Sequence, residues 1–264
     1  MPPALRIGTS GYSYPEWVDA GVYPPKTVSA AMLGLYSRMF PVVELNYSWY
    51  QMIRAEAVER MMARVPPAFS FAAKLTRTMT HEIGPDWQQQ ARLYAQGIRP
   101  LQQAGHLLAI LAQFPPGFRR TPANRRYLAL LLDLLAIQAG LPLVVEFRHR
   151  SWAHDRVFQG LSERGITLAC VDTPPLAELF PCLEVVTNPK LCYFRLHGRN
   201  SAGWRSGTMQ QQFNYSYTRE ELATFRDRLL LPMTAKASQG VVFFNNHVAG
   251  QAVANARTLT ELLP

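Results

Sequence analysis

The chain is poor in several things that would name a function outright. It has three cysteines in 264 residues, Cys170, Cys182 and Cys192, with no CxxC spacing, so they cannot all pair. Cys170 and Cys192 fall inside apolar runs, where a free thiol behaves as a small core hydrophobe, and reduced thiols fit a cytoplasmic location. No P-loop, Rossmann glycine pattern, nucleophile elbow or HExxH spacing occurs. The apolar stretch 127–137 is broken by Asp133 and is too short for a membrane span. The amino-terminal residues lack a charged segment followed by an apolar one, so no export signal is expected. There is no internal repeat, no low-complexity tract and no Gly/Ser-rich linker. Acidic residues are also scarce, 18 against 27 lysines and arginines, for a formal net charge of +9. That balance favours anionic partners (phosphorylated metabolites, nucleic acid or an anionic surface), and it equally fits a solvated basic surface. The densest basic patch, Arg119, Arg120, Arg125 and Arg126, is a weak nucleic-acid signal.

What the chain does have is eight short apolar runs of strand character, each ending in polar or charged residues. They cover 5–10, 42–48, 69–75, 107–113, 143–148, 167–172, 191–197 and 240–246. Helical periodicity separates most of them, over about 29–39, 55–64, 85–104, 122–139, 151–164 and 250–262. Strands alternating with helices predict an α/β fold, a TIM-like (β/α)8 barrel, and a barrel of this kind typically needs about 250 residues. One domain over 1–264 is expected. Prolines between Asp172 and Lys190 leave room for one helical turn, so the sixth connection is expected to be short or irregular. Residues 200–218 read as a long polar and aromatic loop, the sort that carries binding function.

In a barrel the outer face of each strand packs under helices, so alternate residues there are apolar. Val43 and Leu45 alternate with Glu44 and Asn46, Val145 and Phe147 with Glu146 and Arg148, and Phe194 and Leu196 with Arg195 and His197. Period two therefore points these six polar residues inward, where each must pair with a neighbour, water or a ligand. Lys74, Gln113, Asp172 and Asn245 end other strands. A purely structural ion-pair network is the bland alternative; polar residues at the ends of at least six strands favour a pocket.

Several chemistries fit this set. Glu44, Glu146, Asp172 and His197 are suitable ligands for a divalent metal, although Lys74, Arg148 and Arg195 in the same ring oppose one unless an anion intervenes. Arg148, Arg195 and Arg199, with the helix start after Asn245 and Asn246, suit an anionic, phosphate-bearing headgroup. For acid–base work, Glu146 or Asp172 serves as base and His197 or Lys74 as acid. Lys74 is also a candidate Schiff-base amine if neighbouring arginines lower its pKa, or else it neutralises Glu44 or Glu146. His149 either joins the site or caps a helix beside Trp152. Tyr12, Tyr14, Trp17, Trp49 and Tyr50 either stack on a sugar or base or pack the rim.

Taken together, Ile7-Gly-Thr-Ser-Gly-Tyr-Ser-Tyr14 with Tyr23-Pro-Pro25, Glu44-Leu-Asn46 with Tyr50, Phe71-Ala-Ala-Lys74, Gln113-Phe-Pro-Pro116, Val145-Glu-Phe-Arg-His149 with Ser151-Trp152, Val171-Asp-Thr-Pro174, Arg195-Leu-His-Gly-Arg199 and Phe244-Asn-Asn246 with Ala249-Gly250 form a set. This set resembles the YecE-like family, domain of unknown function 72, over about residues 5–263. The resemblance implies an α/β barrel with a short sixth connection. It matches the family's motif positions at Glu44, Asn46, Lys74, Gln113, Glu146, Arg148, His149, Asp172, Arg195, His197, Asn245 and Asn246. Because the family has no established activity, it implies no catalytic role for any of them. Tyr12 stands where Trp is common, and Tyr47-Ser48-Trp49 replaces Ser-Thr-Phe.

The expectation is thus a cytoplasmic barrel enzyme, a hydrolase or lyase, acting on an anionic small molecule or nucleic-acid fragment, with no membrane partner. The alternatives are a non-catalytic barrel that binds nucleic acid or a partner, and a catalytically dead barrel used for assembly.

Overall fold

The eight period-two runs become parallel strands that close on one another. In a computed structural model describing residues 4–205 and 207–263, they are β1 Ala4–Ser10, β2 Val42–Leu45, β3 Ser70–Lys74, β4 Leu107–Gln113, β5 Leu143–Glu146, β6 Thr167–Asp172, β7 Cys192–Leu196 and β8 Gln239–Phe244. They lie in chain order in one closed barrel, with β8 pairing back onto β1. Closure leaves no strand edge unpaired, and helices cover the outer face.

The main helices are α1 Ser29–Tyr36, α2 Ala55–Met62, α3 Trp87–Gln103, α4 Pro122–Leu132, α5 Asp155–Glu163, α6 Arg219–Phe225 and α7 Gln251–Leu262. Local chemistry sets several of their starts. The Thr121 side chain accepts from the Asn124 amide with Pro122 next in line, so α4 opens on a capped, pre-organised turn. Thr218 and Glu221 form a reciprocal capping box on α6. α4 runs on through a wider π turn, Asp133–Gln138, and the chain reverses at Gly140, whose φ of +65° suits glycine. No helix among the described residues is long and apolar enough to cross a membrane.

Two segments depart from expectation. The second run stops as a strand at Leu45, because Asn46 turns into the helical region (φ −91°, ψ −21°) and residues Tyr47–Tyr50 form one helical turn. Ser48 Oγ secures that turn on the carbonyls of Leu45 (3.1 Å) and Lys74 (2.6 Å). The predicted loop 200–218 contains two short helices, Ser201–Arg205 and Met209–Gln212, the second capped by Thr208. The sixth connection, 173–191, forms no helix; its residues 176–179 line the barrel mouth, and Leu179 makes a lone antiparallel bridge with His149.

Register decides which residues look inward, since paired residues of neighbouring parallel strands share a face. Ser10 aligns with Glu44, Lys74 with Leu111, Gln113 with Glu146, and Val171 with Arg195 and Phe243. The opposite face carries Asp172 aligned with Leu196 and Phe244. Outside the ends of β4 and β5, Phe114, Phe118, Phe147 and Trp152 stack with centroids 4.3–5.4 Å apart along the series Phe114–Phe118–Trp152–Phe147. Trp152 Nε1 donates to the Phe118 carbonyl at 2.6 Å. This aromatic block holds the carboxyl ends of β4 and β5, from which Gln113, Glu146 and Arg148 project.

Candidate active site at the barrel mouth

The inward faces of β1, β2, β5 and β7 converge on one buried guanidinium. Arg195 donates to Glu44 Oε1 at 2.6 Å, to Glu146 Oε2 at 2.6 Å and to Ser10 Oγ at 3.2 Å. Glu44 also accepts from Ser10 Oγ (2.7 Å) and Tyr193 Oη (2.6 Å). The second oxygen of Glu146 faces Arg148 Nε at 2.5 Å and His197 Nε2 at 3.3 Å. Charges therefore alternate, Glu44–Arg195–Glu146–Arg148. Arg195 and Glu146 are 1% and 0% exposed, and such depth is tolerable only because every charge meets an opposite one.

These pairings restrict the acid–base roles. Burial alone would raise the Glu146 carboxyl, but Arg148, Arg195 and His197 hold it well below the usual carboxylate range. Asn245 Nδ2 lies 3.0 Å from His197 Nδ1, which assigns the ring proton to Nε2, facing Glu146. Burial and then Arg148 push His197 down to about 3, so it stays neutral and does not match the expected role of acid.

Lys74 behaves differently. It ends β3 half-buried at the cavity floor, its ammonium 5.1 Å from the centroid of the Trp49 ring. Among the described residues no carboxylate oxygen lies within ion-pair distance of it; Glu44 and Glu146 are taken by the arginines. The expectation that Lys74 neutralises one of them is not met. Burial first, then Arg195, lowers its pKa to about 7. Nearby His81 is lowered to about 4, by burial and then by Lys74.

Above this floor opens a cavity of about 1840 Å³. Of the predicted residues, Tyr12, Tyr14, Asn46, Trp49, Tyr50, Lys74, Gln113, Arg148, Arg195 and Asn245 line it, while Glu44, Glu146 and His197 lie beneath it and Trp17 is packed in the core. Tyr14 stacks on His247 at 4.5 Å, and the Arg148 guanidinium sits 5.2 Å from the Trp204 ring centroid. The polar atoms of lining residues that are buried with no hydrogen-bond partner among the described residues include Asn46 Oδ1, Tyr47 Oη and Trp204 Nε1.

Four predicted site residues lie elsewhere. Asp172 faces outward and is held by Arg199 (2.9 Å) and Tyr217 Oη (2.6 Å), because its register partner Leu196 belongs to the outer face. Arg199 is committed to Asp172 and Glu221, so it does not join Arg195 in an anion clamp. Asn246 also turns outward and donates to the Tyr215 carbonyl and to Asn255 on α7. His149 accepts from the Ser151 amide and caps the turn at Trp152, the capping alternative. With Asp172 outside and Arg195 between Glu44 and Glu146, the proposed metal ligands do not converge. Among the described residues no three His, Cys, Asp or Glu side chains are grouped to hold an ion.

Tyr193, Trp204, Phe213, His81 and His247 were missed. Tyr193 was findable, being two residues before Arg195 on the same inward face. Trp204 and Phe213 belong to the segment read as loop, where no periodicity assigns a direction.

The sequence profile described as "Protein of unknown function DUF72" matches residues 6–264. The chain belongs to the DUF72 family. A DUF72 protein of known structure from Thermotoga maritima is 32% identical and superposes with a TM-score of 0.88, covering 98% of each chain. A second, from Enterococcus faecalis, is 27% identical with a TM-score of 0.86, over 98% of this chain and 95% of that one. The UPF0759 protein YunF of Bacillus subtilis is 28% identical over 98% of this chain and 94% of its own length. This DUF72 barrel therefore matches these relatives end to end.

Proposed function

We propose that this DUF72 protein is an enzyme acting on an anionic, phosphate-bearing small molecule or nucleic-acid fragment at the barrel mouth. The observation that carries the reading is the charge count of the floor. Two carboxylates, Glu44 and Glu146, face three basic groups, Arg148, Arg195 and Lys74, and Lys74 is the one left without a carboxylate at ion-pair distance among the described residues, so that an anion beside it favours its ammonium form. An anion settling against Lys74 and Arg148 supplies the missing charge in a site partly withdrawn from water, where such contacts are strongest. Glu16, Asp19 and Glu178 stand exposed at the rim, where solvent and salt screen them. Trp49 and Trp204 flank the cations and line the cavity, where they add apolar surface for a sugar or base. Asn46 Oδ1 and Trp204 Nε1 offer one acceptor and one donor to its polar edge.

The test compares ribose 5-phosphate, AMP and a short oligonucleotide with ribose and adenosine by thermal shift. The phosphorylated compounds are expected to raise Tm, the effect fading with added salt and in Lys74→Gln. Equal responses to charged and neutral compounds would sink the reading. A salt-sensitive gel shift with the oligonucleotide, with no turnover of any compound, would favour the non-catalytic binding barrel.

A further inference from the structure

Lysine is rare in this chain: Lys26, Lys74, Lys190 and Lys236 are its four. Three are exposed on the surface and one stands at the bottom of the cavity. An ammonium there serves an anion only as a point charge, a task that the neighbouring arginines perform without titrating. What a lysine adds is a nucleophilic nitrogen.

We propose that Lys74 is a covalent catalytic residue that forms an imine with the carbonyl carbon of a phosphate-bearing aldehyde or ketone, such as a sugar phosphate in its open-chain form. The proposal rests on the phosphate-binding reading for its substrate class and on the Lys74 surroundings for its chemistry. Groups of both signs face this nitrogen: Arg195 from β7, Arg148 beyond β5, Glu44 from β2, Glu146 from β5 and His81 beyond β3. Both carboxylates are bound to guanidinium groups at 2.5–2.6 Å, so neither holds Lys74 in its ammonium form by a direct pair. Burial and Arg195 both favour the free amine, and the neutral His81 adds no charge. The amine lone pair attacks the carbonyl carbon, and the carbonyl oxygen takes up a proton to give a carbinolamine. Loss of that oxygen as water leaves the C=N bond. Overall, one amine and one carbonyl become one imine and one water. Arg148 pairs with Glu146 through Nε and lines the cavity, where its remaining nitrogens can meet the phosphate.

The test treats the intact protein with glyceraldehyde 3-phosphate and borohydride, then maps the reduced adduct by peptide mass. Lys74 is expected to be labelled at least tenfold faster than Lys26, Lys190 or Lys236. Its rate should rise with a midpoint near pH 7, and omitting the phosphate (glyceraldehyde alone) should slow it. Lys74→Arg, checked for native circular dichroism, should lose this adduct while keeping the surface labelling. Equal labelling of all four lysines, or a Lys74 midpoint near that of a free lysine, would overturn the imine; the wild-type profile decides this even if the variant does not fold. A parallel thermal shift with glycerol 3-phosphate, which has no carbonyl, separates the two readings. A rise in Tm without a Lys74 adduct removes the imine and keeps the phosphate site. Selective labelling by both aldehydes, with no response to glycerol 3-phosphate, keeps the imine and removes the phosphate site.

Discussion

The two sides of the barrel floor treat positive charge in opposite ways. On the β7 side, Arg195 is held by two carboxylates and a serine hydroxyl, all within 3.2 Å. On the β3 side, Lys74 has the same inward direction but is only half-buried, and it has no carboxylate at ion-pair distance among the described residues. Satisfied charge in an apolar setting is rigid and chemically quiet; unsatisfied charge is the group a ligand can neutralise or a reaction can use. The β7 side is therefore internally neutralised, and the β3 side is the one whose charge a ligand can still meet.

The largest effect should come from breaking the satisfied side. Arg195→Met strands Glu44 and Glu146 in the interior and is expected to cost about 3–5 kcal/mol in urea unfolding. Asp172→Asn tests the outward pair: loss of its charged contacts to Arg199 should cost about 1–3 kcal/mol while leaving phosphate-ligand affinity unchanged. A change in affinity would place Asp172 in the site after all.

Lys74→Met should go the other way, raising stability at pH 7 by on the order of 1 kcal/mol, because it removes a cation whose burial is uncompensated. The pH dependence has a defined sign. With a folded pKa near 7 against 10.5 unfolded, the unfolded chain binds more protons between those values. Wild-type stability should therefore rise across that window, and Lys74→Met should flatten the rise. The smallest effect concerns acid. Glu146 has its folded pKa lowered, so its contribution is complete above about 4.5 and is lost as pH falls further. Glu146→Gln, although less stable at pH 7, should lose less additional stability below pH 4.5 in acid-unfolding curves.

Some of these residues are legible in the sequence and others are not, for physical reasons. Glu44, Glu146, Arg148, Arg195 and His197 could be directed inward because their strands alternate apolar and polar, and alternation reports the face directly. Asp172 and Asn246 misled because they end runs that are apolar on both faces, 168–171 and 241–244, where period two carries no sign. Only pairing with Leu196 and the packing against α7 turn them outward. The helical turn at Tyr47–Tyr50 was hidden for a related reason: Tyr and Trp favour strands, and the Ser48 contact to the Lys74 carbonyl that holds the turn is 26 residues away.

The order of apolar runs, their spacing and their inward polar residues are local properties, and they were enough to specify an eight-stranded α/β barrel with a charged interior. Who neutralises whom is not local. Glu44 and Arg195 are 151 residues apart, and Glu146 and Arg195 are 49 apart. Barrel closure and strand register set those distances. They gave Arg195 two acids and, among the described residues, left Lys74 with none at ion-pair distance.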